Sequence, residues 1–122
     1  MLICKNIKPF DVDGTLILFG HNKKGCKFFN PNISTWEEAE PYQKHIDLLK
    51  RFKEEGCTIL VWSRSGAEYT QNVIEALELE EYVDIISDKP TDYIDDEKCC
   101  NWIGQKVWLN EEDNYLSMLI KK

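Results

Sequence analysis

The chain reads as an α/β domain built on a mainly parallel central sheet. Three observations predict this: short apolar runs rich in strand formers, helical periodicity between them, and glycine or proline at the joints. Its 122 residues suit a single domain, 1–122. The first strand covers Asn6-Ile7-Lys8-Pro9-Phe10, with Pro9 an unusual residue for a central position because it removes a ladder donor. Next, Leu16 to Phe19 and Cys26 to Phe29 flank a Gly20-His21-Asn22-Lys23-Lys24-Gly25 turn and predict a β-hairpin. A helix is expected from Pro41 to Glu55, with proline in its first turn and Ile46, Leu49 and Phe52 at helical spacing. Gly56 stops it.

Cys57 to Trp62 is a short apolar run that predicts a buried strand. Ser65-x-x-Glu68 has the pattern of a capping box, opening a helix with Tyr69, Val73 and Leu77 on one face. Further strands are expected at Val83–Ile86, Tyr93–Ile94 and Val107–Leu109. A last helix follows Asn110, with Glu111, Glu112 and Asp113 at its positive end and Lys121 and Lys122 at its negative end.

Composition narrows the function classes. Hydrophobic residues make up 43% and the net charge is −7, so one compact core is expected rather than a disordered chain. No apolar run approaches the roughly 18 residues of a membrane span, and the N-terminal residues lack the apolar stretch of a secretory signal. The acidic balance argues against general duplex-DNA binding. Five cysteines at irregular spacing, with only His21 and His45 beside them, form neither a disulfide framework nor a zinc pattern. Free thiols in a reducing cytoplasm are the expectation. The four tryptophans fit structure better than base stacking: Trp62 and Trp108 fall in expected strands, Trp36 and Trp102 near helices.

In a parallel α/β sheet, ligands bind beyond the carboxyl ends of the strands. Polar residues gather there: Asp11 and Asp13 after the first strand, Ser63 after the second, Lys89 after the third, Asp95 and Asp96 after the fourth. Each has an ordinary structural explanation alone. Together they would bring four carboxylates and one lysine to one sheet edge. Two like charges about 4 Å apart repel by about 4 kcal/mol at an effective dielectric near 20, so such a cluster calls for a cation. Oxygen ligands favour a hard ion, and Mg²⁺ is the usual one beside phosphate.

Phe10-Asp11-Val12-Asp13-Gly14-Thr15-Leu16, then Ser63, Lys89-Pro90 and Ile94-Asp95-Asp96, resembles the haloacid dehalogenase (HAD) superfamily of phosphatases. The motifs stand in family order over about residues 7–109. The resemblance implies a three-layer Rossmann-like fold and an Mg²⁺-dependent phosphomonoester hydrolase. Asp11 would be the nucleophile that forms an aspartyl phosphate, and Asp13 the acid and then the base. Ser63 would bond a phosphoryl oxygen; Lys89 would neutralise the phosphoryl group and hold Asp11 ionised. Asp11, the Asp13 carbonyl, Asp95 and Asp96 would form the metal site. Backbone N–H groups near Gly14 and Thr15, and that of Arg64 after Ser63, would cradle the phosphate.

About 25 residues separate Thr15 from Pro41, too few for an independent cap domain. Capless family members have open sites and often take large phosphorylated substrates such as polynucleotide ends or phosphoproteins, or close the site by oligomerising over small ones such as nucleotides and sugar phosphates. The hairpin would be a flap beside the site, carrying His21, Lys23, Lys24 and Lys27, whose simplest explanation is a solvated tip. A phosphotransferase differs only in the accepting group. A receiver-like signalling module is a poorer match, because Trp62-Ser63 stands where it needs a phosphoacceptor aspartate. A phosphate-binding module without activity is the third alternative.

Overall fold

The structure, a computed structural model, describes residues 6–96. In chain order its elements are β1 (Ile7–Phe10), β2 (Ile17–Leu18), β3 (Cys26–Asn30), β4 (Thr35–Pro41), α1 (Gln43–Glu54), β5 (Thr58–Ser63), α2 (Ala67–Ala76) and β6 (Ile85–Asp88). All belong to one compact unit, Met1–Lys89; a second unit comprises Pro90–Lys122. The strand expected at Val107–Leu109 and the helix expected after Asn110 lie outside the described residues. No helix among the described residues is long and apolar enough to cross a membrane.

The parallel sheet has the order β1-β5-β6, Phe10 pairing with Val61 and Ser63 with Asp88. The three carboxyl ends therefore share one edge. Ile59 and Val61 are fully buried, and Phe10 packs on Phe52 of α1 with ring centroids 6.3 Å apart. Pro9 keeps its place in β1 for a geometric reason. Thr58 N–H donates to Asn6 O, so alternate residues 6, 8 and 10 turn their backbone groups toward β5. Pro9 faces the other side, where its missing N–H breaks no rung of this pairing.

Helix α1 ends as its sequence suggests. Gly56, at φ 92°, donates to Lys53 O while Cys57 N–H donates to Phe52 O, the paired bonds of a Schellman motif. Its start differs: Pro41 closes β4, and the helix begins at Gln43.

The larger correction concerns the insert after β1. The segments around Leu16–Phe19 and Cys26–Phe29 do not pair with each other. β4 lies between them, giving an antiparallel sheet in the order β2-β4-β3. The hairpin is β3–β4, turned at Asn32, whose N–H donates to Asn30 Oδ1 at 2.9 Å. β4 reads Thr-Trp-Glu-Glu-Ala-Glu-Pro, with three glutamates that disguise it as helical surface. Only Ala39 is buried in it, opposite Cys26, and Trp36 stands 69% exposed on this strand.

Two smaller expectations also change. The third parallel strand starts at Ile85 rather than Val83. Tyr93–Ile94 forms no strand; Ile94 is fully exposed, so burial offers nothing to offset the entropy of ordering it.

Candidate functional site

The shared carboxyl edge brings together three of the expected groups. Asp11 follows β1 directly, and its Oδ1 lies 3.7 Å from Lys89 Nζ. Lys89 follows β6, and its N–H donates to Ser63 O at 3.0 Å. β5 is thus the bridge: its last residue holds the backbone of the lysine that reaches across to Asp11. Ser63 is buried, and its Oγ accepts the Ser65 N–H at 3.0 Å. That gives Ser63 a structural task, while its hydroxyl hydrogen remains a donor. Arg64 is exposed immediately after it.

The loop after β1 is a tight knot around one carbonyl. Val12 O accepts N–H groups from Thr15, Leu16 and Ile17, at 3.1, 2.8 and 3.3 Å. Gly14 sits at φ 77°, a left-handed conformation suited to glycine, and donates to Ile17 O at 2.9 Å. In this conformation the Gly14 and Thr15 amides close the turn. Fully buried His45 clamps it from α1, its Nδ1 lying 2.6 Å from Thr15 O. A carbonyl only accepts, so Nδ1 carries the proton. Tyr42 stacks on the imidazole at 3.8 Å.

This turn aims Asp13 at Tyr69 of α2. The phenol donates to Asp13 Oδ1 at 2.6 Å and is itself 2% exposed. Loss of solvent raises the Asp13 carboxyl above its ordinary range; the Tyr69 hydrogen bond opposes this, and the charges of Asp11 and Glu37 reinforce it. Burial, followed by the bond to Asp13, pushes the phenol well above its own usual value, so Tyr69 stays a donor.

The antiparallel sheet holds these parts from the side. Phe28 of β3 meets Tyr69 edge-to-face, centroids 5.4 Å apart. Asn72 Nδ2 donates to Phe29 O, and Asn32 Nδ2 donates to Ser65 O, each at 2.8 Å. The basic character expected of this insert is largely matched by β4. Lys23 lies 3.8 Å from Glu40, and Lys27 pairs in register with Glu38; His21 and Lys24 are exposed.

The expected capping box does not form. α2 has Gly66 as its N-cap, at φ 102°, with no side-chain cap from Ser65; Asp88 of β6 takes that role, its Oδ1 accepting the Ala67 N–H at 2.7 Å. Asp88, Tyr69 and His45 are site-supporting residues that sequence reasoning did not single out. Tyr69 carries only a weak signal, an aromatic one turn into the helix after Ser63, and its partner is 56 residues away.

Asp95 and Asp96 belong to the second unit, where both are exposed. Among the described residues no group of three or more His, Cys, Asp or Glu is arranged to hold a metal ion. The oxygen donors on this edge, the Asp11 carboxylate and the Asp13 carbonyl, are hard ligands that suit Mg²⁺. In comparisons with known proteins, no family model, no curated protein and no solved structure matches this chain.

Proposed function

We propose that this chain is an aspartate-based phosphatase of the HAD-like kind, acting on a phosphomonoester at the open carboxyl edge of its sheet. The observation that carries the reading is the Asp11–Lys89 pair, 3.7 Å apart and seated after the two strands that flank β5 in one parallel sheet. A carboxylate held by a cation at a sheet edge is a nucleophile beside a phosphoryl-binding charge. Supporting it, Asp13 stands exposed two residues further on, with its carboxyl raised above the ordinary range, where an acid and base for the leaving oxygen is needed.

In the first step an Asp11 carboxylate oxygen forms a bond to phosphorus. The bond from phosphorus to the leaving oxygen breaks, and Asp13 delivers its proton to that oxygen. In the second step water attacks the aspartyl phosphate, Asp13 takes the proton, and inorganic phosphate leaves with Asp11 restored. Lys89 and the Ser63 hydroxyl bind the phosphoryl oxygens. Asp11 and the Asp13 carbonyl would hold Mg²⁺; the ion would neutralise phosphoryl charge. The proposed scaffold is three-layered, Rossmann-like and without a cap domain, in a reducing cytoplasm where buried Cys26 and Cys57 remain thiols.

The test is p-nitrophenyl phosphate hydrolysis with Mg²⁺ and with EDTA, comparing wild type, Asp11→Asn and Asp13→Asn. Hydrolysis that needs the metal and both carboxylates is the expected result. Activity indifferent to Asp11→Asn would sink the nucleophile assignment. A panel of phosphorylated oligonucleotides, mononucleotides, sugar phosphates and phosphopeptides, ranked by kcat/KM, then identifies the substrate class.

A further inference from the structure

Tyr69 is the one side chain shown to hydrogen-bond Asp13 among the described residues, and it is built in from three directions. Its phenol donates to Oδ1 at 2.6 Å, its ring is covered edge-on by Phe28, and α2 is tied to β3 by the Asn72–Phe29 bond. The residue is 2% exposed, so water does not compete for the donor. A carboxyl whose Oδ1 is bonded in this way has one oxygen left for proton work.

We infer that Tyr69 is the positioning residue of the acid–base aspartate: it fixes Asp13 Oδ1 so that Oδ2 gives and takes the proton. This rests on the phosphatase reading above and deepens it. The antiparallel sheet gains a task through it, since Phe28 and Asn72 hold the helix face that presents the phenol.

A misplaced acid harms substrates in proportion to how badly their leaving oxygen needs a proton. An alkyl or phenyl phosphate needs one; the p-nitrophenolate group leaves almost unaided. Tyr69→Phe is therefore expected to lower kcat/KM for phenyl and alkyl phosphates about tenfold while changing that for p-nitrophenyl phosphate less than about twofold. The same substitution added to Asp13→Ala should produce no further loss, because Tyr69 acts only through Asp13. Equal losses on both substrate types, or a further loss in the double variant, would mean a merely structural tyrosine and overturn the inference. A wild type inactive on every ester would instead remove the phosphatase reading beneath it. Circular dichroism and melting of Tyr69→Phe confirm that the fold is retained in the comparison.

Discussion

The two ends of the parallel sheet treat aspartate in opposite ways. At the amino end, Asp84 just before β6 is fully satisfied: Oδ1 accepts from Lys53 Nζ at 2.7 Å and Oδ2 from the Ile59 N–H at 2.8 Å. Its own N–H returns a bond to Ile59 O at 2.9 Å. Burial would raise this carboxyl, but the two hydrogen bonds and the Lys53 charge outweigh it and hold it below the ordinary range. At the carboxyl end, Asp13 has one hydrogen bond against partial burial and two neighbouring acids, and its carboxyl is raised. The first arrangement ties helix α1, strand β5 and strand β6 together. The second has one hydrogen bond to set against loss of solvent and two like charges, so it contributes less to folding than the first.

The largest expected effect breaks the carboxyl end alone. Asp11→Asn should lower phosphatase turnover by about three orders of magnitude or more while leaving the circular dichroism spectrum unchanged. Turnover within tenfold of wild type would equate the two ends and remove the distinction. Next, Asp13→Asn should cost about 10²–10⁴-fold in activity on unactivated esters. The same variant should melt higher at pH 7 than wild type. The sign follows from the raised carboxyl: the folded state binds the proton more tightly, so stability falls as pH rises from near 4 through the folded value, and the neutral amide escapes that loss. The Tm advantage should therefore shrink in acid; an advantage that grows there contradicts the assignment.

Asp84→Ala has the complementary outcome, a loss of about 1–2 kcal/mol by denaturant melts with kcat unchanged. For this lowered carboxyl the stabilisation is present above its ordinary value, near pH 4, and disappears as pH falls through the folded value. Wild type should lose that increment on acidification, and the variant should not. The smallest effect is expected away from both ends. Lys23→Gln removes an exposed pair with Glu40 and should change stability by less than about 0.5 kcal/mol.

Much of the frame is local in origin and was legible as such. Thr58–Ser63 is a strand because its apolar, β-branched run suits a buried position, and Gly56 ends α1 because a left-handed residue closes a Schellman motif cheaply. The order of Asp11, Ser63 and Lys89 along the chain follows from where those runs stop. The antiparallel insert differs from its local pattern for the complementary reason. β4 has little apolar alternation of its own, and it is a strand because β2 and β3 supply partners on both sides.

Sequence alone determined the α/β class and the carboxyl ends of β1, β5 and β6, with Asp11, Ser63 and Lys89 at them, because apolar periodicity and turn chemistry act over a few residues. Tertiary structure alone decided which of those residues meet. Lys89 reaches Asp11 across 78 positions and Tyr69 reaches Asp13 across 56, while Asp88 takes the helix cap that Ser65-x-x-Glu68 suggested locally. Hydrogen bonds and charge pairs depend on distance in space, and strand register sets that distance only once the sheet has formed.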